Sequence, residues 1–147
     1  MLIFLGKPIT DALKKLYPLL IDNGTTFRIL TLATPSYAAP EDARSLKWFV
    51  SIHVYIRGLD NYAYNEMNGI GKETVALGDR IDWTLFRVPL LRGDKLEIKD
   101  GRVSESFVGD AGGKDALTLN RSALVRWVLK EIDEKKWVGK CPLLSNG

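Results

Sequence analysis

Apolar residues recur along this chain in alternating helical and strand-like patterns. In PITDALKKLYPLLID, Ile9, Leu13, Leu16 and Leu20 fall at spacings of four, three and four, with Pro8 at the entry and Asp22, Asn23 and Gly24 at the exit. That pattern predicts a helix over 8–22, with Pro18 expected to bend or shorten its last turn. The run LIFL at 2–5, ended by Gly6, and the run FRILTLAT at 27–34 read as buried strands. Strand, helix and strand in this order imply a right-handed βαβ unit. Two prolines and small polar residues make PSYAAPEDA a loop.

The next stretch, RSLKWFVSIHVYIRGL, is ambiguous. Val50, Ile52, Val54 and Ile56 alternate as in a strand, whereas Leu46, Phe49, Val50, His53 and Ile56 fit one helical stripe; we read it as helix. In NEMNGIGKETVAL, together with Ala63, the residues Met67, Ile70, Thr74 and Leu77 keep helical spacing across Gly69 and Gly71. Each glycine costs a helix interior roughly 1 kcal/mol relative to alanine, so close packing against a neighbour or a cofactor is the expected reason for them. IDWTLFRVP predicts a strand stopped by Pro89. The Gly-, Asp- and Lys-rich segment 91–118 predicts loop with short irregular pieces. Leu124, Trp127, Val128 and Ile132, interrupted by Glu131, form a final helix with Asn120 as N-cap, and CPLLSN is a candidate short strand. This alternation argues an α/β layer architecture with a mainly parallel sheet.

Composition narrows the class without changing that outline. A length of 147 residues with 46% hydrophobic residues suits one domain over 1–147. The formal charge of +3 comes from 21 basic and 18 acidic residues that interleave along the chain, as on a solvated surface rather than a nucleic-acid-binding stripe. One cysteine, Cys141, and one histidine, His53, exclude an internal disulfide and a His/Cys zinc site within one chain. The start, MLIFLGKP, is too short in apolar residues for a signal peptide or membrane helix. The expectation is a cytoplasmic protein with neither nucleic acid nor membrane as partner.

Tests for familiar chemistry are mostly negative. A phosphate-binding P-loop ending at Gly71-Lys72 needs glycine at Glu66, and one ending at Gly113-Lys114 needs glycine at Val108 and a hydroxyl at Asp115. A G-x-G-x-x-G fingerprint starting at Gly69 fails at Thr74. There is no G-x-S-x-G elbow, and His53 reads as a half-buried residue on a packed apolar face. Glu41, Asp42, Asp110 and Asp115 read as surface or loop charges rather than an acid/base pair. If the sheet is open and parallel, ligands bind beyond the carboxyl ends of its strands. Those ends are Gly6-Lys7, Thr34-Pro35-Ser36 and Val88-Pro89-Leu90, with Lys72 on the helix between the last two. A lysine there either reaches a ribose or phosphate as a point charge or is simply solvated.

The series FRILTLATPS, NEMNGIGKETVAL, IDWTLFRVPLL and LNRSALVRWVLKEIDEKKWVGKCPLLSN resembles the C-terminal part of atypical short-chain dehydrogenase/reductase proteins of the NmrA-like kind, particularly fungal, some averufin-oxidase-like. The likeness runs from about residue 2 to the end. It implies a partial Rossmann-like three-layer α/β fold, mainly parallel, that lacks the N-terminal βαβαβ half and its glycine-rich fingerprint. LIFLG resembles the family's fourth strand, FRILTLAT its fifth and DWTLFRVP its sixth. The resemblance also implies that Gly6, Thr34, Ser36, Lys72, Val88, Pro89 and Leu90 flank the nicotinamide side of an NAD(P) pocket, with Lys72 the one candidate catalytic residue.

The Tyr-x-x-x-Lys dyad of the wider superfamily is absent, since Asn68 stands four residues before Lys72. Tyr64, eight residues before it, is offset by about 80° around a helix. The leading expectation is therefore the C-terminal portion of an NAD(P)-binding oxidoreductase-like protein that is not catalytically competent alone. The alternative is an interaction or dimerisation module using strand 2–5 as an exposed edge. The pocket loops show nothing that names a substrate.

Overall fold

The computed structural model describes residues 6–23, 27–93, 102–110 and 112–147. The strand expected at 2–5, and with it the exposed edge, lies outside the described residues.

Strand β2 (Trp83–Arg87) is buried along its whole length, as expected for a central strand covered on both faces. It pairs in parallel with β1 (Ile29–Ala33), from Ile29 opposite Trp83 to Ala33 opposite Arg87. On its other side Arg87 pairs in parallel with Leu143 at the start of β6 (Leu143–Asn146). The sheet ends at β4 (Val103–Ser106), which runs antiparallel to β6 and gives the order β1-β2-β6-β4. A separate parallel pair joins β3 (Leu90–Arg92) to β5 (Thr118–Asn120). The mainly parallel α/β architecture predicted from the sequence is present.

Two-residue alternation along β2 divides the core. Trp83 and Leu85 face α1 (Pro8–Asp22) and α4 (Asn61–Val75), packing with Tyr17, Leu77 and Ala33. Phe86 and Val88 face α5 (Arg121–Glu134) and pack with Trp127, Ala123 and Leu144. Three layers result, helices on either side of a sheet.

Several local expectations need correction. Helix α1 continues through Pro18 to Asp22 rather than ending early. Its buried positions include Tyr17 and Thr10, whereas Ile9 and Leu16 face water. The Tyr17 hydroxyl shares 3.1 Å hydrogen bonds with Thr31 and Thr74, so a polar contact ties α1 to β1 and α4. The ambiguous stretch is helical but irregular: α2 (Leu46–Phe49), a π-helical run over Val50–Ile56, and α3 (Arg57–Leu59). Between 91 and 118 the chain forms strands β3, β4 and the start of β5 where loop was expected, and residues 94–101 and 111 of that segment lie outside the described residues. Asn120 does precede α5, but its side chain makes no cap bond; its backbone N–H instead donates to Asn146 Oδ1 at 3.0 Å.

Candidate functional site

Beyond the carboxyl end of β1 the chain turns into a loop, 34–45, whose shape is set from within the protein. Arg87, fully buried at the end of β2, donates through Nη1 to Asp42 Oδ2 at 2.5 Å and through Nη2 to Asp42 Oδ1 at 2.8 Å. The same guanidinium donates to the carbonyls of Tyr37 and Cys141. Asp42 also accepts from the backbone N–H groups of Ala39 at 2.7 Å and Val108 at 3.0 Å. A forked guanidinium on a carboxylate that is itself fully hydrogen-bonded holds loop and strand in one geometry.

A second buried carboxylate performs the same task nearby. Asp115 accepts from Lys47 Nζ and Trp48 Nε1, each at 2.8 Å, and from the Gly109 N–H at 2.9 Å. Burial pushes the Asp115 carboxyl upward, but the bonds from Lys47, Gly109 and Trp48 outweigh it and hold the group below the ordinary range. Asp115 is thus a buried structural ion and Asp42 a half-buried one; both lie in loops, as expected, but neither is a free surface charge. Cys141, in the core beside Arg87, has its thiol pushed up to about 11, chiefly by burial, and is inert as a nucleophile.

The pinned loop, the helix α4 and the π-helical run enclose a cavity of about 480 Å³. Ser36 and Lys72 both line it, as do Tyr64 and Asn68 from the same helix and His53 from the π-helical run. Ser36 is 5% exposed, and its hydroxyl has no hydrogen-bond partner; a buried hydroxyl left in that state invites a ligand or ordered water. His53 is exposed rather than half-buried, and its ring sits 4.9 Å from Phe49 and 6.0 Å from Tyr64. Tyr64 carries Arg57 over its ring at 5.3 Å. Despite the offset of about 80° between them around a helix, Tyr64 and Lys72 line the same cavity.

The two helix glycines are explained by packing. A Cβ on Gly69 would lie 2.8 Å from Thr10 Cγ2, and one on Gly71 would lie 2.8 Å from Tyr37 Cβ. Gly69 thereby lets α4 meet the start of α1, where Glu66 accepts from the Ile9 and Thr10 N–H groups at 2.5 and 3.1 Å. A carboxylate from another helix thus satisfies donors that α1 leaves open at its first turn. Gly71 lets Tyr37, another wall of the cavity, lie flat against α4.

The remaining candidate residues are not brought to this cavity. Thr34, Val88, Pro89 and Leu90 line a second one of about 630 Å³, separated by a wall of Pro35 and Trp48, which belong to both. Gly6 lies at the entry to α1, where an added Cβ would meet nothing within 4 Å. Tyr64, Asn68, Trp48 and His53 were not chosen as site residues from the sequence. The signal for the first two was present, since positions 64, 68 and 72 are four residues apart and share a helix face. Among the described residues there is no cluster of His, Cys, Asp or Glu able to hold a metal, and no helix long and apolar enough to cross a membrane.

Neither a protein-family model nor a curated protein sequence matches the chain. Solved structures do. A wide-type short-chain dehydrogenase/reductase from Veillonella parvula, in complex with NADP, has a TM-score of 0.65 at 10% identity, over 93% of this chain and 58% of its own. A protein assigned as an NADH-flavin reductase from Streptococcus pneumoniae has a TM-score of 0.64 at 12% identity, over 97% of this chain and 68% of its own. An oxidoreductase from Lactococcus lactis has a TM-score of 0.54 at 11% identity, over 80% of this chain and 45% of its own. The chain therefore has a Rossmann-like α/β fold, similar to that of these oxidoreductases, and spans about half to two thirds of their lengths.

Proposed function

We propose that this chain supplies the nicotinamide-facing part of an NAD(P)-binding oxidoreductase-like protein of the NmrA-like kind, and that by itself it is not a competent catalyst. The observation that carries the reading is the meeting of Ser36, whose hydroxyl is buried and unpartnered, with Lys72 on one cavity just beyond the carboxyl end of the parallel strand β1, the side on which such sheets bind ligands. NAD(P) supplies or accepts a hydride when bound. Of this chain's own groups, the Lys72 ammonium offers a mobile cation for a ribose or phosphate oxygen, and the Ser36 hydroxyl offers a hydrogen bond to a carbonyl or carboxamide. Asn68 stands where the superfamily places its proton-donating tyrosine, and a carboxamide cannot supply that proton. The sequence carries no G-x-G-x-x-G turn for the pyrophosphate.

Titration of the isolated chain with NADPH is expected to show no tight, stoichiometric binding, and such binding contradicts the second half of the proposal. Nicotinamide mononucleotide tests the first half. In heteronuclear NMR spectra it is expected to shift the backbone amides of 36–37 and 68–72, and Lys72→Met is expected to weaken the effect. Shifts confined to other regions, or equal shifts in the variant, count against the assignment.

A further inference from the structure

We infer that the second cavity binds an uncharged, largely apolar small molecule. Its volume, about 630 Å³, lies within the range of small-molecule sites, roughly 300–1,000 Å³. None of the eleven described residues that line it is charged. Val88, Pro89, Leu90, Ile56, Leu59 and Leu117 supply most of the apolar lining. The few polar atoms are mostly committed within the protein: the Ser51 hydroxyl donates to the Lys47 carbonyl at 2.9 Å, and Thr34 Oγ1 accepts from the Ser36 N–H at 3.3 Å. A charged ligand entering here loses its hydration and finds no counter-charge among the described residues, which is strongly unfavourable. An apolar one releases water from both surfaces.

Three features separate this cavity from a chance apolar hollow. Leu59 and Leu90 are 84% and 61% exposed at its rim, so apolar surface is concentrated in one place. The segment that carries Tyr55 and Ile56 is π-helical, a rare arrangement that occurs frequently at functional sites. Its partition is rigid, because the Trp48 indole is fixed to Asp115. Through that partition the cavity adjoins the one holding Ser36 and Lys72. Binding of an apolar molecule stands on this geometry alone; its role as the substrate, or as part of it, rests on the proposed function.

A matched pair of dyes tests the inference. Phenylnaphthylamine is neutral, and anilinonaphthalene sulfonate adds one negative charge to the same rings. The neutral dye is expected to bind one per chain with enhanced emission, and the sulfonate at least tenfold more weakly, a difference of about 1.4 kcal/mol. Leu90→Asp, at an exposed position, is expected to weaken the neutral dye tenfold or more while Lys72→Met leaves it unchanged. Equal binding of both dyes, several dyes per chain, or no effect of Leu90→Asp overturns the inference. If sedimentation shows a dimer that Leu90→Asp dissociates, the cavity is a contact between copies and the inference also falls. Should the dye bind as expected while nicotinamide mononucleotide fails to shift the amides around Lys72, the apolar site stands and the nicotinamide assignment does not.

Discussion

The two cavities share Pro35 and Trp48 yet are built on opposite terms. The polar one is framed by a loop that buried ions hold from behind, with Arg87 gripping Asp42 and Lys47 gripping Asp115. The apolar one is framed by side chains such as Leu59 and Leu90 that already stand in water. In the first, the fold's stability and the site's geometry rest on the same groups, so neither changes without the other. In the second, Val88 and Trp48 belong to the core, but the exposed part of the lining, Leu59 and Leu90, contributes little to the fold and is free to be set by what it binds.

The largest expected effect lies on the polar side. Removing one member of a buried ion pair leaves the other charge desolvated and typically costs about 3–5 kcal/mol, while replacing both by apolar residues is often neutral. Asp42→Ala is therefore expected to lower the urea midpoint sharply by strand Arg87. Arg87→Met combined with Asp42→Leu is expected to recover part of the loss, though the backbone donors of Ala39 and Val108 remain unanswered. A cost below about 1 kcal/mol for the single variant would be that of an exposed pair, and would mean that the loop holds its shape by other means.

Acid tests the wall the two cavities share. Asp115 titrates lower in the folded chain than in the unfolded one, so its share of stability is complete above about pH 3.9, the usual aspartate value, and is lost as pH falls through the lowered folded value. Protonation removes the acceptor that fixes Trp48 and Lys47, and a hydrogen bond to a charged group contributes about 1.5–3 kcal/mol. Fluorescence followed from neutral to acid pH is expected to show a transition in this window that Asp115→Asn reduces and Trp48→Phe removes from the signal. A profile identical in the wild type and Asp115→Asn would show that Asp115 carries no such share. Trp48 also walls the apolar cavity, so its loosening is expected to weaken neutral-dye binding there through the same pH window.

Periodicity made the central elements legible. DWTLFRVP is a continuous apolar run because β2 is covered on both faces, whereas β1, at the end of the described sheet, is only partly buried and leaves Leu32 exposed despite its apolar run. Helix α4 is legible across its glycines because Ile70, Thr74 and Leu77 face the core. Glu131 interrupts the stripe of α5 without exposing it, since its carboxylate pairs with Arg28 and accepts from the Trp137 N–H at 2.8 Å. Pairing across sequence is what periodicity cannot show. Strands β4 and β5 owe their form to β6 and β3, partners distant in the chain, and their own residues read as polar loop. Asp42 and Asp115 were misjudged for the same reason, because a carboxylate looks solvated until its cation is found 45 or 68 residues away. Candidate site residues were placed by strand ends alone, which is too coarse to divide Ser36 from Thr34, two residues apart on opposite sides of a wall.

The smallest expected effect is on the apolar side, and its smallness is the informative part. Leu59 ends a short helical segment with 84% of its surface in water, so truncating it removes almost no buried area. Leu59→Ser is expected to change unfolding stability by no more than about 0.5 kcal/mol. The same substitution removes apolar surface from the cavity wall, so binding of the neutral dye is expected to weaken while the urea midpoint stays in place. A loss of stability comparable to that of Asp42→Ala would mean that Leu59 is covered in solution by protein. The contrast would then lie between two buried interfaces instead of between a framework and a site. Stability and binding moving independently at Leu59, and together at Asp42, is the behaviour that distinguishes the two constructions.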